Sequence, residues 1–177
     1  KSHIILICNA ANHHKINAHL EDQEIKYTDL TRDTALIAVQ GPNAINAMND
    51  LIEIPDAFSC LENDTYTYAR TGYTGEDGLE IMVSIDKLTE LMEYLDVKHI
   101  NPCGLGSRDT LRLEASLPLY GFELTEEITP VEASLKWTIT NNNEYLGSEV
   151  IDEQIETGNH KILKKFVIDS RAIARTG

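Results

Sequence analysis

The segment 70–83 constrains the fold of this 177-residue chain more than any other, because three of its glycines fall within seven residues. It follows the alternating run 65–69 and leads into a second, apolar run, a pattern typical of a β-hairpin. Glycine permits backbone conformations with positive φ and the close approach of another backbone or a ligand. Glu80 lies between two apolar residues, where a carboxylate is costly unless it is paired. The pattern fits either a tight hairpin with surface acids or a polar small-molecule site.

Apolar spacing predicts short strands and helices along the rest of the chain. The run 34–39 is nearly all apolar, as in a strand that is covered on both faces. Ser84 is a typical N-cap for a helix whose apolar stripe we expect in the core. That stripe consists of Leu88, Leu91, Met92 and Leu95. The other predicted elements are strands at 3–8, 25–27, 136–140 and 162–168, and helices at 10–23, from Pro42, from Ser107 to about Leu117, and at 148–156.

The composition argues against several classes of function. Nucleic-acid binding needs a basic face, whereas the formal charge of this chain is −14. No apolar run approaches the length of a membrane span. Cys8, Cys60 and Cys103 are far apart without a CxxC motif, and the histidines show no ligand pattern. We therefore expect free thiols, no metal site and a reducing compartment, either the cytoplasm or, in a eukaryote, the mitochondrial matrix.

Arg108 and Arg112 are four residues apart near the start of a predicted helix, so their side chains share a face. Two positive charges are badly placed for the helix dipole at that end. A guanidinium group matches the geometry of a carboxylate or a phosphate. This face either receives an acidic ligand or pairs with Glu80 or Glu132 and locks the hairpin to the helix. Both interpretations stay open for Arg108, and the structural one is favoured for Arg112.

Three further side chains occupy positions typical of a ligand pocket. Trp137 is the only tryptophan, and such a residue is usually core, although a flat aromatic ligand often rests on one. Tyr73 lies in the glycine-rich turn and has a hydroxyl group able to bond a ring nitrogen. Asn9 directly follows an apolar run, where polar side chains often point into a crevice. These residues favour a pocket for a small, flat, polar ligand without a reactive nucleophile.

Five segments of the chain occur together, and in the same order, in one protein family. They are residues 36–44 (LIAVQGPNA), 70–80 (RTGYTGEDGLE), 102–115 (PCGLGSRDTLRLEA), 119–121 (LYG) and 129–139 (TPVEASLKWTI). The segments are long and cover most of the chain. The sequence resembles the aminomethyltransferase family, the T-proteins of the glycine cleavage system.

The resemblance implies an α+β fold with ferredoxin-like α/β subdomains around a central folate channel, truncated at both ends. It assigns residues 1–58 to the second half of a small α+β domain, 59–157 to a folate-binding α+β domain and 158–177 to the start of a C-terminal barrel. We expect a piece of a longer, monomeric protein. The family's catalytic aspartate precedes the strand expected at 3–8, so the resemblance implies no catalytic residue in this chain and no turnover by the chain alone.

The resemblance also implies that tetrahydrofolate is the co-substrate and lipoylated H-protein the partner. The aminomethyl group of the dihydrolipoyl arm would pass to folate, which gives 5,10-methylenetetrahydrofolate, ammonia and the reduced arm. Glu80 matches the position that accepts hydrogen bonds from the amino group and ring N–H of the pteridine. The other matching positions are Ile7, Asn9 and Tyr73 in the pterin pocket, and Arg108 and Trp137 toward the folate side chain.

Two alternatives share the folate scaffold. A folate-dependent demethylase, or the C-terminal part of a dimethylglycine or sarcosine oxidising enzyme, has similar motifs, although segment 102–115 fits the T-proteins better. A non-enzymatic folate-binding scaffold of the iron–sulfur maintenance type carries a Lys-Gly-Cys signature, which this sequence lacks. Aminomethyl transfer is therefore the primary hypothesis.

Overall fold

The computed structural model describes residues 3–140, 145–158 and 160–170. The chain divides into two compact units, Lys1–Ala115 and Ser116–Gly177. Helices and an antiparallel sheet occur together, which confirms the predicted α+β class. The expected domain boundaries near residues 58 and 157 stay predictions about the whole protein. In the first unit, strands from both sides of residue 58 pair in one sheet.

The first unit is built on a four-stranded sheet in which all neighbouring strands are antiparallel. The strands are β1 (Thr34–Gln40), β2 (Cys60–Glu62), β3 (Tyr66–Ala69) and β4 (Gly78–Ser84), in the spatial order β1-β4-β3-β2. The helices are α1 (His13–Asp22), which follows a 3-10 turn at Ala10–Asn12, α2 (Ala44–Met48), α3 (Ile85–Val97) and α4 (Leu105–Glu114). The hairpin predicted around the glycine-rich segment is confirmed, with β3 and β4 as its strands.

The sheet has a core face and an outer face. The buried residues of β4 are Leu79, Ile81 and Val83. Because side chains alternate along a strand, Glu80 and Met82 of β4 point to the outer face. The register extends this alternation across the sheet and sets Glu80 opposite Ala38 of β1 and Ala69 of β3. The carboxylate that the sequence marked as costly therefore lies outside the core, between two small side chains.

Helix α3 packs against β1 and β4. Ser84 is its N-cap in an extended conformation, as predicted, although the Ser84 side chain makes no capping hydrogen bond. Leu91 and Leu95 are buried in the core, and Leu88 packs against it half-buried. Met92 is 45% exposed, so its predicted place in the core was wrong. It lies about 100° around the helix from Leu91, at the margin of the face that packs against the sheet.

Four predicted strands do not form among the described residues. No strand is present at 3–8, 25–27 or 162–168, and Lys136–Thr138 is a 3-10 turn instead of part of a strand. In the run 3–8 the side chain of Ile4 is 96% exposed. An apolar β-type composition produces a strand only where another strand satisfies its backbone hydrogen bonds. The four observed strands pair with one another and not with these runs.

The predicted strand at 34–39 is present as β1, but its expected burial on both faces was wrong. It lies at an edge of the sheet, and its outer-face residue Leu36 is 43% exposed. Antiparallel sheets commonly leave one face open to solvent, unlike the buried parallel sheets from which the expectation came.

The predicted helices are present with changed starting points. Residues 10–23 contain the 3-10 turn and α1, and the helix expected from Pro42 is the short α2. Helix α4 begins at Leu105, with Gly104 as its N-cap, so Ser107 does not cap it as predicted. The N-cap therefore lies three residues earlier than predicted, and the helix ends at Glu114 instead of near Leu117.

The second unit has little regular structure in its described part. It contains the turn at Lys136–Thr138 and helix α5 (Ser148–Thr157). The predicted end of this helix at Gly158 is confirmed, because Gly158 is the C-cap with a left-handed φ of 64°. Among its described residues, the buried apolar ones are Val131, Ala133 and Ile151.

Truncation of the buried face of α3 should destabilise the protein, whereas truncation of its exposed face should not. We expect Leu91→Ala to lower the free energy of unfolding by about 2–5 kcal/mol, because it leaves a cavity in the core. Met92→Ala, the neighbouring control, should change it by about 0.5 kcal/mol or less. Urea denaturation measures both values, and equal losses for the two variants would contradict the placement of α3.

Candidate functional site

Gln40, the last residue of β1, joins the two arms of the glycine-rich turn. Its side-chain amide donates hydrogen bonds to the carbonyl oxygens of Thr71, at 3.0 Å, and Leu79, at 3.2 Å. The Gln40 carbonyl oxygen accepts one from the Thr74 hydroxyl at 3.3 Å. The bond to Thr71 lies beyond the last paired residue of β3. The Gln40 side chain thus links the two arms of the turn beyond the point where backbone pairing between β3 and β4 ends.

The glycines of the turn make room for this arrangement. A Cβ atom at Gly72 would lie 1.8 Å from Gln40 Oε1, and one at Gly78 would lie 2.4 Å from the carbonyl oxygen of Val39. Gly75 has a φ of 77°, a conformation that L side chains rarely adopt. The sequence left open whether a backbone or a ligand approaches these glycines. In the structure, Gly72 and Gly78 accommodate residues of the chain itself.

An ion pair closes the turn at its base. Arg70 Nε and Nη2 donate to the two carboxylate oxygens of Asp77 at 2.9 and 2.6 Å, a bidentate arrangement. Asp77 also accepts a hydrogen bond from the Gly78 N–H at 3.0 Å, and its carbonyl oxygen accepts one from the Gly41 N–H at 2.9 Å. The hydrogen bond from Arg70 holds the pKa of Asp77 below its ordinary value. The turn is therefore anchored to both β1 and β4.

Glu80 is half-buried on the outer face of the sheet, beside the turn. Its Oε2 atom accepts a hydrogen bond from the Thr71 hydroxyl at 2.7 Å. In the part of the chain that the structure describes, Oε1 has no hydrogen-bond or ion-pair partner. The two residues opposite Glu80, Ala38 and Ala69, have small side chains and therefore leave space above the sheet on both sides of Glu80. A carboxylate in this setting can accept hydrogen bonds from adjacent N–H groups of a planar ligand that lies on the sheet.

Tyr73 and Arg108 meet beside the turn. The guanidinium carbon of Arg108 lies 4.9 Å from the centre of the Tyr73 ring, within cation–π distance. Arg108 is exposed on α4 and forms no ion pair with Glu80 among the described residues. The contact between hairpin and helix that the sequence suggested therefore exists, but it runs through an aromatic ring and leaves the guanidinium N–H groups accessible.

Arg112, one turn further along α4, has a different environment. It is only 4% exposed, and its Nε donates to Asp109 Oδ1 at 2.7 Å. This ion pair within the helix agrees with the structural role favoured for Arg112.

The remaining three predicted site residues lie on other segments of the chain. Ile7 is 59% exposed in the segment before α1. Asn9 uses its side-chain oxygen to accept a hydrogen bond from the Ala11 N–H at 2.9 Å and thereby caps the 3-10 turn. Trp137 belongs to the second unit and is 78% exposed. The structure thus brings Tyr73, Glu80 and Arg108 to the turn and its adjoining helix, and the roles of all six residues stay predictions.

Sequence reasoning missed Gln40 and Thr71, which hold this site in place. Gln40 is a polar residue directly after the apolar run of β1, the same signal that singled out Asn9. Thr71 follows the last paired residue of β3 at the spacing that returns a side chain to the outer face, two positions after Ala69. Their bonding partners are 31 and 9 residues away in sequence, so their roles required the tertiary structure.

The family described as the GCVT N-terminal domain matches residues 1–143. The chain belongs to this family.

Members of known sequence and structure agree with that assignment. An aminomethyltransferase of Synechocystis sp. is 41% identical over an alignment that covers 97% of this chain and 50% of the relative. One from Shouchella clausii is 38% identical and covers 98% and 52%. The crystal structure of the glycine cleavage system aminomethyltransferase T from Bartonella henselae has a TM-score of 0.74 at 31% identity and covers 84% and 44% of the two chains. The resemblance to aminomethyltransferases is confirmed, and this GCVT-family chain spans about half the length of the curated relatives it matches.

The described residues of this GCVT-family chain include neither a membrane-spanning helix nor a metal-binding cluster. No helix among them has the length and apolarity that a membrane span requires. Likewise, no group of three or more His, Cys, Asp and Glu side chains in the same residues is arranged to hold a metal ion.

Close packing around Gly78 makes a specific prediction about stability. We expect Gly78→Ala to lower the free energy of unfolding by about 1–3 kcal/mol, because the added methyl group would overlap the backbone of β1. Gly106→Ala is the matched control, since Gly106 lies in α4 with no atom within 4 Å of an added Cβ. That variant should gain about 0.5–1 kcal/mol. Denaturant unfolding compares the two, and a neutral Gly78→Ala would refute the close approach.

The Arg70–Asp77 pair should make stability depend on pH in the acidic range. Because the folded-state pKa of Asp77 is lowered, its contribution is present above the unfolded-state pKa and is lost as the pH falls through the folded-state value. We expect the melting temperature to drop between about pH 5 and about pH 2 by less in Asp77→Asn than in the parent protein. Glu76→Gln, in the same turn, should keep the parent's pH dependence. Identical pH profiles for all three proteins would contradict the assignment.

Proposed function

We propose that the complete protein is an aminomethyltransferase of the glycine cleavage system. It takes the aminomethyl group from the dihydrolipoyl arm of lipoylated H-protein and uses tetrahydrofolate as co-substrate. The family assignment and the names of the relatives support this proposal. The single observation in the structure that supports it most is the Glu80 carboxylate, which Thr71 holds on the outer face of the sheet and whose second oxygen has no partner among the described residues.

The proposal gives Glu80 the task of binding the pteridine ring. A 2-amino group and the adjacent ring N–H are two parallel donors, which match the two oxygens of a carboxylate. Among the described residues Oε1 accepts no hydrogen bond, so both of its lone-pair directions are available to a ligand, and Oε2 keeps one beside the bond from Thr71. The small side chains of Ala38 and Ala69 allow a flat ring to lie close to the sheet.

Tyr73 and Arg108 serve the rest of the folate molecule in this proposal. The Tyr73 ring, held against the Arg108 guanidinium, forms one wall of the pocket. The exposed N–H donors of Arg108 suit the carboxylates of the glutamate tail. Ile7, Asn9 and Trp137 are assigned to the same pocket on the family resemblance alone.

The proposed reaction is a transfer of one carbon atom. The methylene carbon loses its bonds to the amine nitrogen and the lipoyl sulfur and gains bonds to N5 and N10 of tetrahydrofolate. The two protons from these nitrogens are taken up by the departing ammonia and thiolate. The residues of this chain bind and orient the pterin, and we place the acid that assists proton transfer outside it. The proposed setting is a monomer in the cytoplasm, or in the mitochondrial matrix of a eukaryote.

Removal of the Glu80 carboxylate should weaken tetrahydrofolate binding selectively. We expect Glu80→Ala in the complete protein to cost about 1.5–3 kcal/mol of binding free energy, because a hydrogen bond to a charged group is lost. Glu76→Ala is the control, since Glu76 is an exposed acid of the same turn. Isothermal titration calorimetry with tetrahydrofolate measures both. The pterin role of Glu80 is refuted if the two variants bind as tightly as the parent protein.

A further inference from the structure

We propose that Thr71 is a positioning residue for Glu80, and that Gln40 holds Thr71 in the place where it can act. The inference rests on the proposed function, because it assigns a cause to the orientation of the carboxylate that binds the pterin. It concerns residues outside the six that the family resemblance assigned to the pocket.

The first step of the argument is the bond between Thr71 and Glu80. The Thr71 hydroxyl donates to Glu80 Oε2 at 2.7 Å, and both side chains are half-buried on the outer face. Glu80 has no other hydrogen-bond partner in the described part of the chain. Its carboxylate would otherwise rotate about three side-chain bonds, and ordering such a side chain on binding costs affinity. The Thr71 bond restricts this rotation before a ligand arrives and occupies only one oxygen.

The second step concerns the backbone of Thr71, which the sheet does not hold. The paired residues of β3 and β4 end at Ala69 and Glu80, so Thr71 lies beyond the ladder. Gln40 supplies the missing support, because one amide nitrogen donates to the carbonyl oxygens of both Thr71 and Leu79. Leu79 directly precedes Glu80, so Gln40 fixes the backbone on both sides of the Thr71–Glu80 bond.

The third step is that two glycines, which have no side chain, leave space for the Gln40 side chain. A Cβ atom at Gly72 would overlap the Gln40 amide, and one at Gly78 would lie 2.8 Å from the Gln40 Cα. Gly72 and Gly78 therefore leave room for the orientation in which Gln40 reaches the carbonyl groups of Thr71 and Leu79. Any larger residue at either position would displace the Gln40 amide from Thr71 and Leu79.

The test removes the Thr71 hydroxyl in the complete protein and measures tetrahydrofolate binding by calorimetry. We expect Thr71→Val to raise Kd about tenfold, the effect of one lost hydrogen bond, and Thr71→Ser to restore the parent value. Thr67→Val is the matched control, because Thr67 lies on the outer face of β3, four residues before Thr71, and pairs with Met82 instead of Glu80. It should leave Kd unchanged. Thr71→Ala repeats the removal should the valine variant fold poorly.

A double-mutant cycle with Glu80→Ala separates positioning from direct contact. If Thr71 acts through Glu80, the tenfold effect of Thr71→Val disappears in the Glu80→Ala protein. An equal effect in both backgrounds would overturn the inference, because Thr71 would then act on the ligand independently. A normal Kd for Thr71→Val and Thr71→Ala, together with weak binding by Glu80→Ala, would also overturn it and leave the proposed function intact. Unchanged binding by Glu80→Ala would instead refute the pterin role that the proposed function gives Glu80.

Discussion

The site depends on the side-chain amide of Gln40, which binds the ends of three strands together. β1 ends at Gln40, which pairs with Gly78 at the start of β4, whereas the ladder between β3 and β4 ends at Ala69 and Glu80, so no ladder reaches Thr71. A primary amide offers two N–H donors and a carbonyl acceptor, and Gln40 uses both functions there. The glycine-rich turn is consequently a fixed structure, anchored also by the Arg70–Asp77 pair, on which Glu80 and Tyr73 have defined positions.

The two faces of the sheet have different roles, one in the core and one at the candidate site. The core face is covered by α3 and contains the most completely buried side chains, such as Leu79 and Ile81. The outer face contains Glu80, with small neighbours on both adjacent strands. Because successive residues of β4 alternate between these faces, a single strand both stabilises the unit and presents the carboxylate. A shift of one residue in register would exchange the two functions.

The sequence predicted those parts of the fold whose cause is local. The hairpin, the extended Ser84 before α3 and the left-handed Gly158 after α5 follow from residues within a few positions of each feature. The apolar runs at 3–8 and 162–168 were predicted as strands and are not, because strand formation depends on a partner elsewhere in the chain. The same limit explains the wrong prediction for Met92, because its exposure depends on which face of α3 packs against the sheet.

For the candidate site, the sequence by itself determined the family, through five ordered motifs, and it marked Glu80 as an acid that needs a partner. It also determined the glycine spacing and therefore where a sharp turn occurs. Only the tertiary structure decided that Thr71 is the partner of Glu80 and that Gln40, 31 residues before Thr71, supports it. The physical reason is that a hydrogen bond is selected by distance and direction in space, and the antiparallel register of β1, β3 and β4 sets both.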